Sequence, residues 1–369
     1  MTVPSWRAAD RRLMRIACRL ARKAAGRTSP NPMVGAVLVR GGKIVATGYH
    51  KAAGGDHAEI VALKRAGKKA RGATLYINLE PCSHFGRTPP CSRALISAGV
   101  KAVIAGMRDP NPLVSGRGLR ELRRAGIAVY TGLLENECRK LNEAFVKFIS
   151  RGLPFVILKL AVSLDGKIAT LSGDSQWVSG EESRNLVHRL RNQVDAVLVG
   201  SGTVIADDPQ LTCRIPGGRN PRRVVLDRRL RVSPSARLFR LPDPEKTLVV
   251  TGQRGGAAHV RALEARGAKV LRLGERDGKI PWSAILKELA RQGIQSVMIE
   301  GGAATAAAVL KDYAVDKILF FYAPKIIGGD GRAMIEGLGT RLVRKSLPVR
   351  RLDFAKVGED ILVSGYLDG

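Results

Sequence analysis

Four residues in the first third of the chain have the types and order of a hydrolytic zinc site: His57, Glu59, Cys82 and Cys91. One imidazole and two thiolates suit Zn²⁺ and leave the fourth tetrahedral position for a water molecule, whose pKa the metal lowers. A nearby carboxylate that is not a ligand can move protons between this water and a leaving group. We therefore assign His57, Cys82 and Cys91 to the metal and Glu59 to catalysis.

The order of these residues matches the signature of zinc deaminases, which hydrolyse an amine from a pyrimidine-type ring. Each residue has an ordinary alternative, a buried thiol or a capping histidine, but the four together favour the site. A structural zinc would need a fourth ligand, which His84 could supply. Polynucleotide deaminases carry P-C-x-x-C, whereas eight residues separate the two cysteines here. This longer segment could hold a polar, anionic substrate or could be a solvated loop.

The second half of the chain carries a different nucleotide signal. No G-x-G-x-x-G follows a predicted strand, so a Rossmann fold is not expected. The predicted strand 297–300 instead runs into Gly301 and Gly302, and a predicted helix follows. Backbone N–H groups at such a turn can bind a phosphate. A Gly-Gly pair also forms ordinary tight turns, so this signal depends on its neighbours.

Alternating helices and strands must position these residues, which predicts layered α/β domains. In the first half, helices are predicted at 10–25, 57–66, 91–98, 119–125 and 136–150, and strands at 34–39, 43–48, 73–78, 100–106 and 127–130. Asp56 is the predicted N-cap of the helix 57–66. The breaker sequence 152–154 marks a boundary between domains 1–151 and 152–369. Beyond it, strands are predicted at 155–161, 196–199, 223–227, 247–251, 269–273, 296–300 and 317–323, and helices at 181–192, 282–292 and 303–311.

Composition limits the remaining choices. The formal net charge of +30 favours anionic ligands such as phosphate esters or nucleic acid, or reflects a generally basic surface. Five cysteines, an odd number, argue against a disulfide framework and suit a reducing compartment. Of these, Cys18 and Cys138 are expected to be structural and inert, and Cys213 a small hydrophobe. No apolar stretch approaches the ~20 residues of a membrane span, and no secretory signal is visible, so we expect a cytoplasmic protein.

Several longer motifs resemble one known family. Residues 28–35, 56–59 and 80–91 are similar to the N-terminal domain of the bifunctional deaminase/reductase of riboflavin biosynthesis. Residues 158–169, 175–179, 199–204 and 207–214 resemble its C-terminal reductase domain. The resemblance covers nearly the whole chain in the family's domain order. It implies a cytidine-deaminase-like three-layer domain followed by an α/β domain similar to dihydrofolate reductase.

The resemblance implies two successive reactions on one phosphorylated pyrimidine. The first domain, with one zinc ion per chain, deaminates a diaminopyrimidinone that carries a ribosylamino group and a 5′-phosphate. The second domain uses NADPH to reduce the ribosyl group to a ribityl group. Proton supply during this reduction could come from Lys159 or Asp207. We also expect a homo-oligomer, a dimer or a tetramer, and neither a membrane nor a nucleic-acid partner.

The resemblance also assigns binding residues. Those expected to contact the cofactor are Ala161, Trp177, Thr203, Asp207, Gly302, Ala303, Ala304, Thr305, Ala306, Ala307 and Ala308. Those expected to contact substrate are Asn31, His50, His84 and Arg87 in the first domain and Ser175, Arg191, Leu211, Arg214 and Glu300 in the second. Three of the predicted site residues could instead have purely structural roles: Trp177 as a core aromatic, Lys159 as a surface lysine and Asn31 as a turn residue. The cluster Arg222, Arg223, Arg228 and Arg229 could favour the 2′-phosphate of NADPH or form a solvated basic face.

Two rival functions remain open at this point. The basic composition would suit a deaminase of tRNA or other nucleic-acid bases with an RNA-binding second half. The zinc ligands would also suit a noncatalytic binding protein with a structural metal. The long segment between the cysteines and the reductase motifs argue against both.

Overall fold

The computed structural model describes residues 5–83, 90–112 and 114–367. They form two compact units, Met1–Gly152 and Leu153–Gly369. Among the described residues, no helix combines the length and the apolar character needed to cross a bilayer.

The first unit is built on a five-stranded sheet with the order β2-β1-β3-β4-β5. Its strands are β1 Gly35–Arg40, β2 Lys43–Tyr49, β3 Thr74–Leu79, β4 Ala102–Met107 and β5 Ala128–Thr131. Its helices are α1 Ala8–Arg22, α2 Ala58–Ala66, α3 Cys91–Ser97, α4 Arg117–Arg124, α5 Glu135–Leu141 and α6 Glu143–Arg151, with a 3₁₀ turn at Gly67–Ala70. The hairpin β1–β2 and the pair β1–β3 are antiparallel, whereas β3, β4 and β5 run parallel.

Two hydrophobic clusters on opposite faces of this sheet confirm the three-layer prediction. One cluster joins Leu38 and Leu75 of the sheet to apolar residues of α2, α3 and α4. The other joins Val37 and Tyr76 to α1 and α5. Because neighbouring positions along a strand point to opposite faces, the strands β1, β3 and β4 contribute residues to both clusters.

Two local predictions for this unit were wrong. The helix predicted at 136–150 is two helices, α5 and α6, that meet at Asn142. The Asn142 side chain accepts a hydrogen bond from the Met33 N–H at 2.8 Å and donates one to the Met33 carbonyl at 3.0 Å. Its backbone leaves the helical region (φ −113°, ψ 27°), which breaks the helix. The N-cap of α2 is His57 instead of Asp56, whose carboxylate accepts from Lys64 at 2.6 Å.

The second unit is built on a nine-stranded sheet with the order β11-β10-β9-β8-β12-β6-β13-β16-β15. Its strands are β6 Phe155–Ser163, β7 Lys167–Ala169, β8 Ala196–Gly200, β9 Arg222–Leu226, β10 Thr247–Thr251, β11 Lys269–Arg272, β12 Ser296–Glu300, β13 Lys317–Ala323, β14 Arg332–Ala333, β15 Val349–Val357 and β16 Asp360–Leu367. Its helices are α7 Glu181–Gln193, α8 Ser201–Asp207, α9 Ala257–Glu264, α10 Trp282–Arg291 and α11 Ala303–Lys311, with 3₁₀ turns at Arg237–Phe239, Pro244–Lys246 and Val343–Lys345. A separate two-stranded sheet pairs β7 with β14.

The strands from β11 to β13 are parallel, and the chain order changes direction around β8, β12 and β6. In parallel sheets, ligands bind at the carboxyl ends of strands where the order reverses. A buried cluster of apolar residues from β6, β8, α10 and α11 packs around these central strands. The sequence therefore folds so that the ends of β8 and β12 lie beside the residues of β6.

Candidate active sites

The three predicted zinc donors meet in the first unit. His57 caps α2, Cys91 is the first residue of α3, and Cys82 lies in the segment after β3. His57 Nδ1 lies 3.2 Å from Cys91 Sγ and 3.6 Å from Cys82 Sγ. Ligand bonds of ~2.0–2.3 Å in a tetrahedral site separate donor atoms by roughly 3.5 Å. The three donors and their spacing therefore fit Zn²⁺. They form the candidate metal-binding group found among the described residues.

A second layer of contacts fixes Cys82. The buried carboxylate of Glu80 accepts hydrogen bonds from the backbone N–H groups of Asp109 at 3.2 Å and Gly116 at 2.9 Å. A Cβ on Gly118 would lie 2.1 Å from the Pro81 carbonyl oxygen, so only glycine lets α4 approach this closely. Both contacts hold the segment that carries Cys82 against α4.

Electrostatics at this site favour metal binding and proton transfer. Hydrogen bonds from the Cys91 thiol and His57 lower the pKa of Cys82 to about 4, which favours the thiolate that binds metal. Glu59 lies in the first turn of α2 with 3% exposure. Burial raises the pKa of Glu59 to about 7, and the Cys82 charge adds to this effect. A carboxyl group with a pKa near neutrality suits a group that both accepts and donates a proton.

The structure gives His50 a different position from the predicted substrate contact. Its side chain is buried, and Nδ1 lies 3.0 Å from the Asp56 carbonyl oxygen, which can only accept a hydrogen bond. Nε2 must then accept from the Asn31 side-chain amide, 3.1 Å away. Both ring nitrogens are thus engaged by protein groups, and His50 orients Asn31. The other two predicted contacts, His84 and Arg87, lie outside the described residues.

A cavity of about 1350 Å³ opens in the second unit. Sites for single drug-sized ligands measure about 300–1,000 Å³, so this cavity can hold a dinucleotide and a second molecule together. Most predicted residues line it: Lys159, Ala161, Ser175, Trp177, Arg191, Thr203, Asp207, Leu211, Arg214, Glu300, Gly302, Ala303, Ala304 and Thr305. The remaining three lie elsewhere on α11, since Ala306 and Ala307 are buried and Ala308 faces outward.

The start of α11 fits the phosphates of a dinucleotide. Gly302 is the N-cap of this helix, and its N–H donates to the Thr203 hydroxyl of α8 at 3.3 Å. Helix N-termini present N–H groups and a positive dipole end to anions. Because both elements line the cavity, the observed residues fit NADPH there.

A buried charge cluster forms one wall of the cavity. Arg191 of α7 donates to both carboxylate oxygens of Glu300, at 2.7 and 2.9 Å. Lys159 Nζ lies 3.9 Å from the same carboxylate, on the adjacent strand β6. Burial lowers the pKa of Lys159, and Glu300 opposes that shift. Lys159 is therefore a buried, tunable ammonium group, and its interpretation as a surface lysine was wrong.

Other side chains around the cavity alter the sequence interpretation. Trp177 is 59% exposed and stacks on Arg184 at 4.9 Å, so it is not a core aromatic. Burial raises the pKa of Asp207. His188 and Arg237 line the cavity but were not predicted. The helical spacing of His188, three residues before Arg191, could have revealed it, because residues i and i+3 share a helix face.

The arginine cluster proposed for a 2′-phosphate is directed elsewhere. Arg223 is fully buried and pairs with Asp243 at 2.9 Å, while Arg228 pairs with Glu275 at 2.9 Å. Arg222 donates to the Gln292 carbonyl at 2.9 Å. These three arginines stabilise the fold, and Arg229 is exposed outside the lining of the cavity.

Comparisons with known proteins agree with this architecture. Residues 7–107 match the cytidine and deoxycytidylate deaminase zinc-binding region, and residues 154–363 match the RibD C-terminal domain. The chain is 46% identical to riboflavin biosynthesis protein RibD of Aquifex aeolicus, over 96% of this chain and 97% of that protein. It is similar to the structure of Acinetobacter baumannii RibD (TM-score 0.87, 37% identity, covering 98% of this chain and 99% of that one). A Thermotoga maritima diaminohydroxyphosphoribosylaminopyrimidine deaminase/5-amino-6-(5-phosphoribosylamino)uracil reductase gives a TM-score of 0.83 at 39% identity, with coverage of 98% and 99%.

Proposed function

This chain belongs to the RibD family of riboflavin biosynthesis proteins, and from that premise we propose which of its residues carry out each reaction. The protein is a bifunctional enzyme, a zinc-dependent deaminase and an NADPH-dependent reductase. We assign deamination to residues 1–151 and reduction to residues 152–369. The observation that carries this division is that the zinc donors and the large cavity lie in different compact units.

In the first unit, His57, Cys82 and Cys91 would hold the zinc ion. When bound, zinc supplies a Lewis acid that makes a water molecule acidic near neutral pH. The carboxylate of Glu59 would accept one proton from the attacking water and deliver it to the ring nitrogen. It would then take the proton of the newly formed hydroxyl group and deliver it to the amine, which leaves as ammonia while the carbonyl forms. Asn31, whose amide nitrogen lies 3.1 Å from His50 Nε2, would present its side-chain carbonyl oxygen to the pyrimidine ring. His84 and Arg87 complete the proposed substrate contacts.

In the second unit, Gly302 and the first residues of α11 up to Thr305, together with Thr203, Trp177 and Ala161, would hold the dinucleotide. The predicted contacts of Ala306, Ala307 and Ala308 are not retained, because these residues lie outside the lining of the cavity. When bound, NADPH supplies the hydride for C1′ of the ring-opened sugar. The ammonium group of Lys159 supplies the accompanying proton, because it lies buried in the cavity wall beside Glu300. Asp207 is the second candidate for this role.

The 5′-phosphate of the substrate is assigned chiefly to Arg214. Arg191 was predicted to share this task, but its guanidinium is already held by Glu300 and by the Thr212 carbonyl at 3.0 Å. Arg214 lines the same cavity, and its pKa is lowered first by burial and then by the nearby charges of Arg191 and Arg237. Ser175 and Leu211 also line this cavity. A dianionic phosphate would relieve this accumulation of positive charge.

The test supplies the zinc-loaded chain with the diaminopyrimidinone ribosyl phosphate and follows ammonia release and NADPH oxidation separately. Without NADPH, ammonia should still appear. With the deaminated compound as substrate, NADPH should be oxidised without ammonia release. Equal NADPH oxidation by the substrate that still carries both amines, in a chain stripped of zinc, would contradict the proposed order.

Two further assignments concern the setting of the enzyme. We propose a homo-oligomer, supported by Leu352 and Phe354, which are 61% and 80% exposed on the edge strand β15. Apolar side chains of this size on an edge strand usually mark a contact surface. Light scattering on the wild type and on Phe354→Glu tests this, since the variant should be smaller. We propose a cytoplasmic location because the five cysteines are free thiols.

A further inference from the structure

Two cysteines outside the zinc site lie side by side in the first unit. Cys18 of α1 and Cys138 of α5 are 120 positions apart, yet their sulfur atoms are separated by 3.7 Å. They are 2% and 0% exposed. The described residues place no third ligand with them, so they do not form a metal site of the type found at His57. This pairing was not predicted from the sequence, where both cysteines were expected to be inert.

The surroundings of Cys138 hold its sulfur in this position. A Cβ on Gly106 of β4 would lie 2.3 Å from Cys138 Sγ, so the sulfur occupies space that any larger residue would fill. Both cysteines belong to the cluster that packs α1 and α5 against the sheet. A disulfide bond measures ~2.05 Å, so closing it requires the two sulfurs to approach by about 1.7 Å in total.

Cys18 also lies at a basic groove. A cavity of about 470 Å³ is lined by Cys18, by Arg12, Arg15, Arg19 and Arg22 of α1 and by the acidic Glu137 of α5. A hydrogen bond from the Cys138 thiol lowers the pKa of Cys18, and burial opposes this shift. The charge of Arg22 adds to the lowering, whereas the charge of Glu137 opposes it. The pKa of Cys138 is raised by the same hydrogen bond. Redox-active pairs combine an acidic, reachable thiol with a neighbouring thiol that resolves its oxidised form.

We propose that Cys18 and Cys138 form a reversible dithiol–disulfide site that reacts with hydroperoxides. The Cys18 thiolate attacks one peroxide oxygen, the O–O bond breaks, and Cys18 becomes a sulfenic acid while the other oxygen leaves as water or an alcohol after protonation. Cys138 then attacks Cys18 Sγ, the S–O bond breaks, and the hydroxyl group leaves as water with the Cys138 proton. Two thiols are oxidised and one peroxide is reduced. A small dithiol returns the pair to its reduced form by exchange. This site does not depend on the residue assignments of either reaction.

The test exposes the zinc-loaded full-length chain to hydrogen peroxide, blocks free thiols, and maps cross-linked peptides by mass spectrometry. We expect a Cys18–Cys138 disulfide, a loss of two of the five free thiols, and full reversal by dithiothreitol. Cys213→Ser is the matched control and should form the same disulfide. Cys138→Ser should stop at a sulfenic acid on Cys18 that dimedone labels, and Cys18→Ser should leave Cys138 unmodified.

Other results would overturn the proposal. They are an unreacted pair after Cys213 has been oxidised, irreversible sulfinic acid on Cys18 in the wild type, or zinc release with a Cys82–Cys91 disulfide while the pair stays reduced. The wild-type peptide map decides these outcomes even where a serine variant fails to fold.

Discussion

Replacing Glu300 by glutamine would remove the single negative charge from a buried cluster that also holds Arg191 and Lys159. The side chains of these three residues are only 10%, 13% and 14% exposed. Water therefore cannot easily take over the role of the lost carboxylate. Breaking a buried pair on one side typically costs about 3–5 kcal/mol, because the partner charge stays buried. We expect Glu300→Gln to lower the free energy of unfolding of the second unit by an amount in that range.

Urea denaturation followed by tryptophan fluorescence measures this loss, since the buried Trp282 reports on the second unit. Glu275→Gln is the matched control, because its partner Arg228 is 36% exposed and such pairs contribute about 1 kcal/mol or less. The double variant Arg191→Met/Glu300→Gln should be more stable than the sum of the two single changes predicts. A loss below about 1 kcal/mol for Glu300→Gln would show that this charge cluster does not behave as a buried ion pair.

Three further predictions concern individual contacts. Arg214→Ala should raise the KM of the reductase for its phosphorylated substrate roughly ten- to a hundredfold, because a charged hydrogen bond to the phosphate is removed. Arg229→Ala is the control and should leave this KM unchanged. An unchanged KM in Arg214→Ala would show that Arg214 does not bind the phosphate. Dialysis against a zinc chelator should abolish ammonia release but not NADPH oxidation with the deaminated substrate. Added zinc should restore the ammonia release. Parallel loss of both activities would contradict separate sites. Asn142→Ala should lower the unfolding free energy of the first unit by about 2 kcal/mol, because two hydrogen bonds to Met33 are lost. Since Met33 is near Asn31 in the sequence, the KM of the deaminase should also rise. An unchanged thermal melt together with an unchanged KM would contradict this.

Much of the fold could be predicted because most strands are buried and bounded by glycine or charged residues. The strand β15 was missed because nearly all of its residues are exposed at the sheet edge, which removes the alternation that reveals a strand. The helix α8, which lines the cavity, was missed because it begins with Ser-Gly-Thr, and these residues are poor helix formers. The break at Asn142 depends on a contact with a segment over a hundred residues earlier.

The zinc donors could be predicted because they lie at the starts of two helices and in one short segment. Few other kinds of site need these residue types in this order. Residues whose roles depend on long-range contacts could not be placed. His50 has the residue type of a substrate ligand, but its partners Asn31 and Asp56 occupy both ring nitrogens. Arg223 belongs by sequence to a basic cluster, yet folding buries it against Asp243. Charge counted along a chain does not show which charges are neutralised within the fold.

The role of Glu59 in deamination is tested most sharply by the Glu59→Gln variant, assayed with the diaminopyrimidinone ribosyl phosphate. The variant keeps the size of the side chain and all three zinc donors but removes the group proposed to carry the proton. We expect that zinc content stays the same, that ammonia release falls by at least two orders of magnitude, and that NADPH oxidation with the deaminated substrate continues. Ammonia release at the wild-type rate from zinc-loaded Glu59→Gln would contradict this expectation.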